Sequence, residues 1–416
     1  GRSAGAARAT DGRGMFSGFR EGIFECCSPA SVGKPEFLVQ EQHISSRPPS
    51  NLFDSASGGL QLYFQKWQSD RHQHIRSVVR GCRSTRPTRW GALQGPCGLT
   101  RQRRQVFIHH GETDHGGWYN ALAVRLASFG CMTFASDAQG FGQSDGARGY
   151  FEGFEDLVHD YVKFCKQKWG EVMQAHSRSQ ANNRVGLVLI GKGLGALVVM
   201  RALVELSEVA ASWCVTPTVV LLSPAFQFAS FISEQSNVSC GLNSSQCARQ
   251  PVAQCARAPV AFTPVGDAAT HHKLDQSSRW FPKMIVTHPV DPDMLSRDPE
   301  MVDRMSRDVL CWRTGYRSRV LAEIVHEQAE LGNLFAEHPD VFQRCPALIL
   351  HGSGDKLYSA VGSHGLHSAW CDLARSSGIY PRLKIYDGAF HQLLNEPNRE
   401  EVINDICHFV ASKAGP

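Results

Sequence analysis

Read as a pattern of apolar and polar positions, the chain alternates short apolar runs with longer amphipathic stretches. Runs of four to eight β-branched and aromatic residues bounded by turn formers predict strands, and apolar positions recurring every three or four residues predict helices. On that basis strands are expected near 60–67, 106–109, 131–135, 185–190, 218–223, 346–351 and 383–386. Helices are expected near 117–128, 154–168, 194–208, 358–376 and 399–412. From 106 onward strand and helix alternate, the pattern of a mostly parallel, doubly wound α/β sheet. Leu60 to Trp67 alternates as an edge strand does.

Two stretches break the rhythm. The first about 55 residues are rich in Gly, Ser, Arg and Pro without sustained periodicity and are read as a disordered leader, the fold beginning at Gly59. Between the strands at 218–223 and 346–351 lie about 120 residues, far more than a connection inside a compact unit needs, so a cap is expected there. The expected organisation is thus a leader at 1–55, a core from 56–224 and 340–416, and a cap at 225–339. Inside the cap QCARQPVA (246–253) and QCARAPVA (254–261) are near-duplicates. Two such short copies are a low-complexity expansion, placed at about 234–278, and not a solenoid.

Composition narrows the class. No uncharged apolar run approaches the roughly 18 residues of a membrane span. The net charge of +4 is local in origin: Arg80, Arg83, Arg86, Arg89, Arg101, Arg103 and Arg104 fall in a basic segment, 78–104, that contains no acid. That segment is read as a solvated loop inserted in a hairpin between the first two long strands, with anionic lipid or nucleic acid as the alternative partner. No nucleic-acid-binding motif accompanies it. The cysteines show no C-x-x-C pair or metal-ligand spacing, and Cys131, Cys165 and Cys407 sit inside apolar periodic segments as small hydrophobes. Cys26 and Cys27 have no lipidation signal around them. The chain starts at Gly1 with no charged-then-apolar leader, which leaves the true N-terminus open and a cytoplasmic or peripheral-membrane location as the expectation.

The chemistry is carried by three loops. VGLVLIGKGLGALVVM (185–200) is an apolar strand entering a glycine-punctuated turn and an apolar helix, the form of a nucleophile elbow. Gly191, Gly195 and Ala196 fit the close approach of strand and helix. The apex, where G-x-S-x-G carries its serine, is Gly193, which has no hydroxyl. Asp355 follows the strand at 346–351 and His391 follows the next, an acid and a base in the chain order this fold uses, so that the carboxylate can orient the imidazole. HHGETDHGGWY (109–119) follows the strand at 106–109 and is assigned the oxyanion hole, with the backbone N–H groups of Glu112 and Leu194 as donors. The histidines at 109, 110 and 115 lack a carboxylate or cysteine partner in that pattern and are not read as metal ligands. No cofactor is expected.

On these stretches, together with FASDAQGFGQSDGARGYFEGFEDLVHDY, MLSRDPEMVDRM, ALILHGSGDKL and LKIYDGAFHQLLNE, the chain resembles the monoacylglycerol lipase and lysophospholipase group of α/β-hydrolases, the serine aminopeptidase S33 or hydrolase-4 type. The resemblance implies an α/β-hydrolase fold and a carboxylester hydrolase acting on monoacylglycerol or lysophospholipid. It implies Asp355 and His391 as acid and base, Glu112 and Leu194 as oxyanion donors, and an apolar lid near 225–310 through which that group meets acyl chains. It also implies that Asp137, Gly140, Gly142 and Ser144 belong to a structural loop. The departures are Lys192 and Gly193 at the elbow. The leading expectation is a catalytically impaired member that keeps a lid and an acyl pocket and binds a lipid ester or a protein partner without making an acyl-enzyme. The alternatives are an active esterase, in which His391 activates water or Lys192, Ser144, Ser223 or Ser353 attacks, and an ordinary lipase in which Gly193 replaces a natural serine.

Overall fold

The computed structural model describes residues 51–68, 104–177, 185–212, 214–229 and 268–412. The chain divides into two units, 1–36 and 37–416, and every described residue lies in the second. Its centre is an eight-stranded sheet. The strands are β1 (Leu52–Asp54), β2 (Gln61–Trp67), β3 (Arg104–His109), β4 (Cys131–Ser136), β5 (Gly186–Lys192), β6 (Thr218–Leu222), β7 (Ala347–Gly352) and β8 (Arg382–Tyr386). They lie in the order β1-β2-β4-β3-β5-β6-β7-β8. β1 and β2 pair antiparallel, as do β2 and β4, and every later neighbour is parallel; β2 and β3 are not neighbours, so the strands on either side of the basic segment do not form the expected hairpin. β3, β5, β6 and β7 are buried almost throughout, as strands covered on both faces must be, which is why they read as unbroken apolar runs.

The helices of the core are α1 (Asn120–Ser128), α2 (Phe154–Ser177) and α3 (Leu194–Ala211) between the strands, and α8 (Ala360–Ala374) and α9 (Arg399–Ser412) toward the end; α4 to α7 belong to the cap described below. α1 packs with α9, and α2 with α3. The strand at Leu52–Asp54 corrects the reading of 1–55 as leader. Phe53 joins an aromatic cluster with Phe64, Phe107, Phe134 and Phe164, its ring 4.7 Å from Phe164, and a three-residue strand carries too little pattern to reveal that. The arginine-rich segment lies outside the described residues except for Arg104, which starts β3 and donates to the Ala411 carbonyl at the end of α9. The near-duplicate repeats and Cys26-Cys27 also lie outside them.

Between β6 and β7 the described chain forms a helical cap: α4 (Ala268–Trp280), α5 (Pro299–Arg307), α6 (Ser318–Glu337) and α7 (Pro339–Arg344). α5 begins where Asp298 accepts from the Glu300 amide, with Pro299 supplying the first helical φ. α6 buries Val320, Leu321, Ile324, Val325, Leu331, Leu334 and Phe335 and contacts both α2 and α3, so the cap is part of the core's packing. None of the described helices is long and apolar enough to cross a membrane.

Candidate active site

The elbow has the backbone its sequence predicts. Gly193 sits at φ 54° and ψ −123° between β5 and α3, a left-handed position that glycine takes at little cost. A Cβ on Gly191 would collide with the Gly195 carbonyl, and one on Gly195 with the carbonyls of His109 and His110. These two glycines let the helix start against the strand and bring the apex to the sheet's rim. The Gly193 carbonyl accepts from the amides of Ala196 and Ala225, and its own amide donates to the Leu222 carbonyl, which fixes the turn.

Asp355 and His391 meet as the chain order predicts. The His391 Nδ1 is 2.8 Å from the Asp355 Oδ2, and both side chains are fully buried. Asp355 Oδ1 accepts from the amides of Leu357 and Tyr358, and a second imidazole, His351, approaches Oδ2 at 3.2 Å. Burial works against the charge of this carboxylate, but His391 and His351 outweigh it and hold the carboxyl far below the usual range. His351 was missed by sequence reasoning. It lies inside β7 as an apparent core residue, and only its i,i+4 spacing from Asp355 hinted at the contact. His391 Nε2 is buried without a hydrogen-bond partner among the described residues. A Cβ placed on Gly193 would stand 3.5 Å from that nitrogen, so the imidazole faces the space a serine side chain would fill.

The loop after β3 differs from expectation in one respect. Sequence assigned Glu112 a backbone role in the oxyanion hole; the structure puts its carboxylate there. Glu112 Oε2 accepts from the Leu194 amide at 3.0 Å, and Oε1 accepts from the hydroxyls of Tyr316 at 2.8 Å and Tyr358 at 2.6 Å. Burial and the Glu112 charge push both phenols well above their ordinary range, so they stay protonated as donors. Tyr316 comes from the cap and Tyr358 from the loop after β7. No sequence pattern links either to Glu112.

Most of the remaining candidates are occupied elsewhere. Lys192 Nζ pairs with Asp114 at 3.2 Å, both buried. Burial pushes the Asp114 carboxyl up, but Lys192 and His110 more than offset it. Asp114 also accepts from the Gly111 amide and the Gln392 side chain, so it braces the loop. Ser144 bonds the Asp137 carbonyl and the Tyr63 amide, while Asp137 accepts from the amides of Gly116 and Gln143. That loop is structural, and a Cβ on Gly142 would strike Asp137. Ser353 is bonded to Asp387 and the Gly388 amide. Ser223 is buried just past β6, its Oγ without a hydrogen-bond partner among the described residues.

The three histidines of the loop diverge. His109 Nδ1 lies 3.0 Å from the His110 carbonyl and is pushed down to about 3 by burial and by His110; His110 Nε2 accepts from the Ala138 amide. His115 reaches the cap instead, its Nε2 3.0 Å from Asp308. His115, Asp308 and Cys311 bring possible ligand atoms within 4.8 Å of one another. The His115 Nδ1, however, accepts from the Gly117 amide, which leaves the proton on Nε2, directed at Asp308. A metal at Nε2 would require the opposite tautomer.

Residues 100–398 match the family model described as serine aminopeptidase, S33. The chain belongs to that family. Among curated S33-like relatives, the monoacylglycerol lipase of Mycolicibacterium smegmatis is 24% identical over 317 residues, covering 75% of this chain and 90% of that one. The human monoglyceride lipase is 24% identical over 305 residues, covering 73% and 79%. A soluble variant of the Saccharomyces cerevisiae monoglyceride lipase, solved with a substrate analogue, superposes with a TM-score of 0.60 at 13% identity, covering 90% of this chain and 98% of that one. This S33 member is therefore a monoacylglycerol lipase-like α/β-hydrolase in fold and family, with Gly193 at the apex of its elbow.

Proposed function

We propose that this chain is a silenced carboxylester hydrolase that retains the acid-base pair of its family and binds a monoacylglycerol- or lysophospholipid-like ester without forming an acyl-enzyme. The observation that carries the reading is that His391 Nε2 points at an apex with no atom able to attack. In enzymes built on this logic, loss of the serine costs about a millionfold in turnover, the residue coming from binding and oxyanion donors. Three of the four other candidate nucleophiles are spent, Lys192 on Asp114, Ser144 on the β4 loop and Ser353 on Asp387, while Ser223, which is not at the apex, is fully buried with its Oγ unbonded among the described residues.

The names of the relatives support the ligand class, as does the lining beside Glu112, where Phe141, Val290, Trp312, Tyr316 and Val320 enclose a cavity of about 10 Å³. That is about the room of a single water, so an acyl chain enters only as cap side chains move aside. Lipid extraction of the purified protein followed by mass spectrometry identifies the ligand, and an empty extract argues against the binding half of the reading. Trp280, Phe281, Met284 and Ile285, exposed together at the end of α4, support a peripheral membrane contact through the cap.

The chemical test compares hydrolysis of a short-chain nitrophenyl ester and of monoacylglycerol by the chain as given and by His391→Ala. Equal, background turnover is expected. Turnover that disappears with the imidazole would sink the silenced reading and establish water activated by His391.

A further inference from the structure

The geometry points to a carboxylate-binding pocket in the place of the oxyanion hole, filled in cis by Glu112, so that the protein is closed twice: once by Gly193 and once by its own side chain. This rests on the silenced-hydrolase reading. The pocket is assembled from three parts of the fold. The Leu194 amide opens α3, an 18-residue helix whose first N–H groups attract negative charge. Tyr316 comes from the cap segment between α5 and α6, and Tyr358 from the loop after β7. Glu112, Leu194, Tyr316 and Tyr358 are all at most 5% exposed. Three donors on one buried carboxylate, two on Oε1 and one on Oε2, satisfy a charge that would otherwise be costly to bury.

The position of the carboxylate gives this arrangement its consequence. A Cβ on Gly193 would lie 2.8 Å from Glu112 Oε2, closer than side-chain carbons come to such an atom. The carboxylate thus occupies the ground between the apex and the Leu194 amide, where an ester carbonyl oxygen, or the oxygen of a fatty-acid product, would be received. His391 Nε2, fully buried and without a partner among the described residues, borders the same space. Glycine at 193 leaves room for the carboxylate of Glu112 where it stands: a serine requires the end of that side chain to shift, and in its present place the carboxylate takes the donor an acyl-enzyme needs. Replacing the serine alone leaves the oxyanion donor occupied.

The experiment uses the full chain and the variants Gly193→Ser, Glu112→Ala, Glu112→Ala with Gly193→Ser, and Glu112→Gln with Gly193→Ser. Glutamine preserves the side chain's shape, but it must turn its NH₂ either to the Leu194 amide or to the two phenols, donor against donor, so it loosens the plug with less disturbance of the loop than alanine. Two readouts are taken. Glu112→Ala is titrated with acetate and with octanoate by calorimetry, expecting saturable binding at least about tenfold tighter than to the chain as given. Tyr316→Phe or Tyr358→Phe in that background should each weaken it about tenfold, as loss of a hydrogen bond to a charged group does. The serine variants are then labelled with an active-site fluorophosphonate, expecting both double variants to label at least about a hundredfold faster than Gly193→Ser alone, the scale of one oxyanion donor. Equal labelling by Gly193→Ser and the double variants, or carboxylate binding no tighter in Glu112→Ala, overturns the pocket while leaving the silenced reading intact. Histidine-dependent ester turnover by the chain as given overturns both.

Discussion

At the scale of single residues, Asp355 is as much a part of the fold as of the candidate site. It takes two backbone amides and two imidazoles, all buried, and its charge is set by them. Asp355→Ala strands the buried His391 ring and two amides, while His351 keeps Ser363 and the Tyr358 carbonyl, and it should destabilise the protein by about 3–5 kcal/mol, the cost of breaking a buried charged network. Urea denaturation measures it, and a loss under about 1 kcal/mol would show that the acid is dispensable to folding. Lys192 is the matching case at the elbow. Lys192→Met leaves Asp114 buried beside His110 without its ammonium, and a loss of similar size is expected in the same assay. The aspartate and histidine were legible in the sequence because each directly follows a recognisable strand. His351, Tyr316 and Tyr358 were not, because an aromatic or histidine in an apolar segment reads the same whether or not it aims at a site.

At the scale of elements, the contact of β5 with α3 and the clasp between the β3 loop and α5 make separate predictions. Gly195→Ala puts a methyl into the carbonyls of His109 and His110, backbone atoms that cannot yield cheaply. About 1–3 kcal/mol or more should be lost, read as a lowered Tm. The clasp joins His115 and Trp118 to Asp308 at the end of α5, with Arg304 over the Trp118 ring. Burial works against a charged His115, as does the Gly117 amide that Nδ1 accepts from in the neutral ring, but the bond to Asp308, helped by Asp137, raises the pKa above the ordinary value. Burial raises that of Asp308, but His115 and the Leu310 and Trp118 donors bring it well below. A raised histidine contributes stability that is fully present below its unfolded value of about 6.5 and is lost as pH climbs through the folded one; a depressed aspartate contributes stability lost as pH falls below about 4. The clasp is thus strongest between about pH 4 and 6.5 and weakens toward alkaline pH. Urea midpoints of the chain and of Asp308→Asn, followed from pH 5 to 9, should converge as pH rises. Parallel curves would remove the charge of His115 from the account.

At the scale of the whole molecule, the cap is bolted to the core at several independent points. Arg297 bonds the fully buried Glu396, Arg399 bonds Asp298, Gln392 donates its amide to the Leu295 carbonyl, and Arg317 reaches the Arg148 carbonyl. On the proposed function, an entering acyl chain has to work against those ties. The free end of the cap is different: Trp280 is 78% and Phe281 63% exposed. Sedimentation with anionic and with neutral phosphatidylcholine vesicles tests that face. The double variant Trp280→Ser, Phe281→Ser should lose most of the vesicle-bound fraction in both, since each large side chain contributes a few kcal/mol of apolar transfer. Binding unchanged by the substitution would move any membrane contact elsewhere.

The order of strands and helices, the family and the missing hydroxyl at Gly193 were determined by the sequence itself, because periodicity and turn residues are local and a glycine at an elbow apex is decisive wherever the elbow stands. The strand at Leu52–Asp54 escaped that reading, since its reason for existing is an aromatic cluster drawn from β1 to β4 and α2. What only the tertiary structure decided is the use of Glu112. Its neighbours in sequence assign its backbone to the oxyanion hole, whereas its carboxylate is placed by an amide 82 residues away and by hydroxyls 204 and 246 residues away. The direction of a buried charge is set by whichever donors the fold brings around it, and those donors are distant in the chain.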